Sequence, residues 1–169
     1  MKKALYPGTF DPITKGHLEI VRNAVRIFDE VIIAVAEASE KKPLFSIDER
    51  VQLCKESLTS FPKVRVAKFT GLAVDFAEDI HTYTMIRGLR AVSDFEYELS
   101  LALMNKNLNP KIDTIFLLPD SDYLYLSSSM VKQVIQLGGS LSKFVSPNVE
   151  QAVLRKYKTL GEYHEPKKD

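Results

Sequence analysis

The sequence predicts an α/β fold: a five-stranded open parallel sheet with helices on both faces. Three observations carry the prediction. Short apolar runs alternate along the chain with segments whose apolar residues recur at helical spacing. One run, Val31-Ile32-Ile33-Ala34-Val35-Ala36, is apolar without alternation, as suits a central parallel strand covered on both faces. Each unusual polar cluster directly follows a predicted strand, and open parallel sheets bind ligands beyond the carboxyl ends of their strands.

The first strand covers residues 3–6 and ends in a Pro7-Gly8 turn, with a second turn at Asp11-Pro12. Gly16-His17 opens a helix over residues 16–28, with Leu18, Val21, Val25 and Phe28 as its apolar stripe. The second strand, 31–36, completes a βαβ unit, and a polar loop of residues 37–43 with Lys41-Lys42-Pro43 follows. Ser46 at the N-cap and Glu49 at N3 form a capping box for a helix carrying Val51, Cys54 and Leu58. Residues 64–69 alternate, which predicts a strand with one wetter face at or near a sheet edge. Gly71 turns the chain into a helix bearing Val74, Ala77 and Ile80. A fourth strand, 84–86, ends in Arg87-Gly88-Leu89-Arg90, and a longer helix spans 93–107. The fifth strand, 114–118, stops at Pro119. Leu126 and Ser127-Ser128-Ser129 lead into a helix with Met130, Val134 and Leu137, closed by Gly138-Gly139. Pro147 begins a last helix with Val149, Val153 and Leu154. Residues 1–160 read as one domain with right-handed crossovers, and 161–169 as a polar C-terminal tail.

A chain of 169 residues is long enough for a full core, and 45% apolar with 27% charged residues is a globular balance. The net charge of +1 argues against an extensive nucleic-acid or membrane footprint. No run reaches the ~18–20 apolar residues of a spanning helix, and the run behind Met1-Lys2-Lys3 breaks at Pro7, unlike a signal peptide. The single cysteine, Cys54, precludes an internal disulfide, fits a reducing, cytoplasmic setting and reads as buried and inert in its helix. No G-x-x-x-x-G-K-[ST] is present, which excludes a P-loop enzyme, and no G-x-G-x-x-G, which argues against a dinucleotide cofactor. No spacing among His17, His81, His164 and Cys54 suggests a protein-held zinc site. A glycine turn facing phosphate without either fingerprint points to a nucleotide as substrate.

The stretch from Ala4 to His17 has the parts of a phosphate site. A small-residue turn lets backbone N–H groups approach an anion, and a helix N-terminus adds about half a positive charge. The same glycines and prolines are also ordinary punctuation, and a first-turn histidine is commonly just exposed. Arg87 and Arg90 are either two planar forks for phosphate oxygens or a solvated pair in a loop. Lys41 and Lys42 are surface residues by type, distinguished only by their place at a strand end. One of the three serines caps the following helix, which leaves two whose hydroxyls suit a phosphate chain. Asp94 and Glu96 complement the dipole at a helix start. All the strand-end clusters are expected to meet on one rim.

Thr9-Phe10-Asp11-Pro12 followed by Thr14-Lys15-Gly16-His17 resembles the nucleotidyltransferases with a T/H-x-G-H signature. Within them the chain resembles the bacterial-type phosphopantetheine adenylyltransferases from Tyr6 to about Val149. Tyr6-Pro7-Gly8, Lys41-Lys42-Pro43, Ile86-Arg87-Gly88-Leu89-Arg90-Ala91 with Asp94-Phe95-Glu96-Tyr97-Glu98, and Ser127-Ser128-Ser129 with Val131-Lys132 carry the resemblance. The related nicotinate-mononucleotide enzymes have I-S-S-T-x-x-R at the last site, where this chain has Leu126 and Lys132.

The resemblance implies a Rossmann-like nucleotidyltransferase fold and transfer of AMP from ATP to 4'-phosphopantetheine, with 3'-dephospho-coenzyme A and pyrophosphate as products. It implies Mg²⁺ held mainly by substrate phosphates, a homohexamer, and no nucleic-acid or membrane partner. His17 would stabilise the transition state at the α-phosphate, with Lys41 and Arg90 as further catalytic cations. ATP would be bound by Thr9, Phe10, His17, Gly88, Leu89, Arg90 and Glu98, and by the loop of Tyr123, Leu124, Tyr125, Leu126, Ser127, Ser128 and Ser129. Thr9, Lys41, Ala73 and Arg87 would bind the acceptor. Ala73 is smaller than the residue often found there, and Tyr123-Leu124-Tyr125 departs from the W-x-x-I of some members. The alternatives are a superfamily transferase acting on nicotinate mononucleotide or with a cytidylyl donor, and a nucleotide-binding regulator without turnover. The regulator would have lost the histidine or the basic cluster, and both are present here.

Overall fold

The computed structural model describes residues 1–37 and 43–163. Its strands are β1 (Lys3–Gly8), β2 (Glu30–Ala36), β3 (Val64–Phe69), β4 (Thr84–Gly88) and β5 (Asp113–Leu117). They form one parallel sheet in the order β3-β2-β1-β4-β5. The chain thus starts at the centre, steps outward to the β3 edge, and returns to add β4 and β5 on the other side of β1. The helices are α1 (Lys15–Ile27), α2 (Ile47–Ser57), α3 (Ala73–Asp79), α4 (Val92–Leu108), α5 (Ser128–Gln136) and α6 (Pro147–Leu160).

Side chains alternate between the faces of a strand, so the unbroken apolar run of β2 feeds two cores. Val31, Ile33 and Val35 join Ala4, Tyr6 and Ile86 under α1, α2, α5 and α6. Ile32 and Ala34 join Leu5 and Met85 under α3. The alternating strand β3 does lie at the edge, with Arg65 and Lys68 exposed. Ser46 and Glu49 make both bonds of their capping box at the start of α2. Cys54 is fully buried, and burial pushes its thiol up to about 12, so it is inert at neutral pH.

The first strand differs from the sequence expectation. It does not turn at Pro7-Gly8 but continues through them, in register with Ala34 and Val35 of β2. On the other side, pairing with β4 is confined to Leu5 and Met85. Proline has no N–H to give to a ladder, and β1 and β4 part toward their carboxyl ends. The turn comes later, at Phe10 with φ 49° and the cis Asp11-Pro12 bond. β4 runs on to Gly88, β5 ends at Leu117, and a short 3₁₀ turn at Ser121–Tyr123 was not expected. At the start of the tail, Gly161 caps α6 with φ 69° and Tyr163 packs on the larger core, while residues 164–169 lie outside the described ones. Among the described residues no helix is long and apolar enough to cross a membrane.

Candidate active site

Where β1 and β4 part, the strand order reverses, and such a switch point is where an open sheet leaves room for a ligand. A cleft of about 570 Å³ opens there. Two glycines bring its walls together. A Cβ on Gly88 would stand 3.2 Å from Ile20 of α1, and one on Gly8 would stand 3.0 Å from the Phe10 ring. Side chains there would hold the helix and the ring away from the strand ends.

His17 lies on the floor of this cleft, and its setting follows from the Thr14-Lys15-Gly16-His17 spacing. Thr14 is the N-cap of α1 and His17 its N3 residue, and the two form a capping box with imidazole in the usual place of a carboxylate. The Thr14 backbone N–H donates to His17 Nδ1 at 3.0 Å, and Thr14 Oγ1 lies 2.9 Å from the same nitrogen. Nδ1 is therefore an acceptor, and the proton of the neutral ring resides on Nε2. Phe10 meets the imidazole edge-on at 5.1 Å between centroids, and Tyr6 packs against Phe10 at 5.4 Å. Burial lowers the His17 pKa to about 3, helped by the charges of Arg90 and Arg87. His17 is thus a neutral N–H donor at the cleft.

Arg87 bridges the gap between the parted strands. Its Nε and Nη2 donate to Glu98 at 2.5 and 2.8 Å, and its Nη1 donates to Pro7 O at 3.0 Å. Burial works against its charge, but the hydrogen bonds and charge of Glu98 outweigh that and hold the guanidinium protonated. A guanidinium has five N–H groups, so two are left for a ligand. Arg90 donates to Leu126 O at 3.1 Å and lies 3.4 Å from Asp94, which ties the end of β4 to the approach to α5. The serines divide their work. Ser127 caps α5 by accepting from Met130 N–H, Ser128 donates to Pro12 O at 2.7 Å, and Ser129 lines the cleft with them.

Thr9, Phe10, His17, Arg87, Gly88, Arg90, Glu98, Leu126, Ser127, Ser128 and Ser129 all line one cleft. Leu89, Ala73, Tyr123, Leu124 and Tyr125 are not among its walls. Ala73 starts α3 and packs against the smaller core. Tyr123 packs on the larger core, and Tyr125, with φ 66°, is 68% exposed. Lys41 and Lys42 lie outside the described residues.

Two groups escaped the sequence reading. Asp11, read there as a turn residue, is buried and accepts from Leu44 N–H, Phe45 N–H and Lys132 Nζ. Arg50, within α2, is 1% exposed and donates to the carbonyls of Phe45, Thr9 and Ala36. Only the fold shows that Lys132 stands against a residue 121 positions earlier. The cleft carboxylates, Asp11 and Glu98, are thus both engaged by cations, and the described residues contain no cluster of three potential metal ligands. That donor set fits a divalent ion carried in on phosphates better than one caged by the protein.

Residues 5–134 match the model of the cytidylyltransferase-like family. The chain is 51% identical to the phosphopantetheine adenylyltransferase of Thiobacillus denitrificans, over 92% of this chain and 98% of that protein. It is 47% identical to that of Bordetella petrii over 98% of both, and 50% identical to that of Moorella thermoacetica over 93% and 98%. Among solved structures, one from Vibrio parahaemolyticus described as a nicotinate-nucleotide adenylyltransferase superposes with a TM-score of 0.69. It covers 91% of this chain and 99% of its own, and at 15% identity it speaks to the fold alone.

Proposed function

The chain belongs to the cytidylyltransferase-like family and, within it, to the phosphopantetheine adenylyltransferases, and we propose the following use of its cleft. The enzyme transfers the adenylyl group of ATP to 4'-phosphopantetheine, a step of coenzyme A biosynthesis. An oxygen of the acceptor phosphate attacks the α-phosphorus in line. The new P–O bond forms as the bond to the β-phosphate bridging oxygen breaks, and pyrophosphate leaves with that electron pair.

A phosphate monoester is already anionic at neutral pH, so the step needs no strong base. It needs two anions brought together and the charge at the α-phosphorus stabilised. The observation that carries the reading is the His17 ring, with Nδ1 engaged by Thr14 and Nε2–H left for a phosphate oxygen. Arg87, through its two remaining N–H groups, receives the acceptor phosphate together with Thr9 and Lys41. Arg90 and the start of α5, with Ser128 and Ser129, receive the departing pyrophosphate. Gly88 and Leu126 line the nucleotide side. Mg²⁺ entering on the triphosphate would offset part of its charge when bound, while the arginines and hydroxyls orient the phosphates.

A homohexamer working in the cytoplasm completes the reading. Its support is α4, which covers only a narrow strip with its own subunit and leaves Leu99, Leu103, Met104 and Leu108 between 37% and 57% exposed. The test is mass spectrometry of the products formed from ATP, Mg²⁺ and 4'-phosphopantetheine. Dephospho-coenzyme A and pyrophosphate in equal amounts are expected, with no product from CTP or nicotinate mononucleotide. Release of no pyrophosphate with both substrates present would end the proposal.

A further inference from the structure

Asp11 stands apart from the groups assigned above. It is 4% exposed and sits in the turn between β1 and α1. One carboxylate oxygen accepts from Phe45 N–H at 3.0 Å, and the other accepts from Leu44 N–H at 2.9 Å and from Lys132 Nζ at 2.9 Å. The carboxylate therefore joins three pieces of chain: its own turn, the segment following β2, and α5. The two neighbouring contacts reinforce the joint, since Ser128 of α5 donates to Pro12 O and Arg50 donates to both Thr9 O and Phe45 O.

A carboxylate this deeply buried is costly unless paired, and an apolar residue of similar size serves as well wherever only shape is at stake. Lys132 is where the pairing has chemical consequence. Its side chain keeps 29% of its exposure and lines the same cleft as His17 and Arg90, beside the first turn of α5. An ammonium carries three N–H donors on a flexible four-carbon stem. One is bonded to Asp11 in the structure, which fixes the stem and leaves two donors at the cleft wall. Without its anchor, the same cation would sample many rotamers and lose the benefit of being placed in advance.

We propose that Asp11 is a positioning residue for the transfer reaction. It holds the Lys132 ammonium where its remaining donors meet the polyphosphate of the nucleotide, while the same carboxylate, through the backbone N–H groups of Leu44 and Phe45, sets the adjoining cleft wall at Pro43. The inference rests on the reading of the cleft as a nucleoside-triphosphate site. It differs from a plain brace, which would support the backbone of Leu44 and Phe45 and be indifferent to the charge of Lys132.

The experiment is a double-mutant cycle on the full-length enzyme with Asp11→Asn and Lys132→Met. It is read by kcat/KM for ATP in the forward direction, KM for pyrophosphate in the reverse, and thermal midpoint. Each single variant is expected to lower kcat/KM for ATP by roughly 10-fold and to raise KM for pyrophosphate, with the double variant within about threefold of the worse single. Lys132→Arg, which keeps a cation within reach of Asp11, should recover most of the loss. Losses that multiply in the double variant, or a Lys132→Met enzyme with wild-type constants for ATP and pyrophosphate, would overturn the proposal. If Asp11→Asn does not fold, a Lys132→Met enzyme with wild-type constants still overturns the proposal. A wild-type enzyme that makes no dephospho-coenzyme A removes the underlying reading, whereas an active wild type with an indifferent Lys132 removes only this inference.

Discussion

Imidazole at the N3 position of a helix is an unusual capping partner, and the chemistry of His17 follows from it. Nδ1 is committed to Thr14, so the ring presents one hydrogen to the cleft and has no lone pair free to act as a base there. Replacing His17 by Ala should lower kcat by at least ~100-fold while ATP still binds, the scale of removing one donor from a developing oxyanion. Steady-state kinetics with calorimetric ATP titration checks this, and near-normal turnover would take His17 out of the mechanism. The ring also leaves a mark on stability. Its folded pKa of about 3 lies below the ordinary 6.5, so the unfolded chain binds the proton first as pH falls. Stability is undiminished above pH 6.5 and declines below it, by roughly 2 kcal/mol for this group on reaching pH 5. Denaturant unfolding of His17→Gln should show a shallower acid decline than wild type, and equal slopes would contradict the assignment. The sequence made the T-K-G-H string conspicuous but not its cause. The Ser46–Glu49 box was legible because glutamate is the expected partner, whereas Thr14–His17 uses the same spacing with a residue that no capping rule names.

Between elements, the decisive feature is the parting of β1 from β4, and it was legible only in part. The placement of polar clusters after strands pointed to a common rim, since in a parallel sheet every strand ends on the same side. Pro7 misled because a proline followed by glycine is ordinarily a turn, yet here both residues stay in register with β2. The structure fills the resulting gap with Arg87, while on the other side of β1 Arg50 ties the ends of the still-paired β1 and β2 to the loop before α2 through three carbonyl acceptors. A local reading of α2 could not find this, because Arg50 lies in a helix whose arginines are expected to face water. Arg50→Met keeps the apolar stem but leaves those carbonyls without their donor. The thermal midpoint should fall by roughly 5–10 °C, in keeping with the loss of a buried hydrogen-bond network. Scanning calorimetry decides it, and a midpoint within a degree of wild type would show that Arg50 is not the tie described.

At the scale of the whole molecule, the alternation of strands and helices sufficed to anticipate a five-stranded parallel sheet with one-handed crossovers, whereas the order β3-β2-β1-β4-β5 is visible only in the structure. The surface of α4 is different in kind, because under the proposed homohexamer the residues that cover it belong to another chain. Its own subunit covers a strip running through Asp94, Glu98, Leu101, Ala102 and Asn105. At 100° per residue, Phe95, Leu99 and Leu103 lie along one flank of that strip and Tyr97, Met104 and Leu108 along the other. An amphipathic helix serving one subunit has one apolar stripe, whereas α4 has apolar flanks on both sides of a partly polar centre. Closed hexamers with two-fold and three-fold axes need two distinct self-complementary or cyclic contacts, and two flanks supply two. Leu103→Glu and Met104→Lys should therefore break different contacts. If the protein is the proposed hexamer, each is expected to convert it into a smaller closed species, one a dimer and the other a trimer, and the double variant into monomers. Native mass spectrometry at several protein concentrations reads the outcome directly. A hexamer that survives both charges would show that α4 is not where the copies meet, and identical products from the two single variants would show that the flanks serve one contact rather than two.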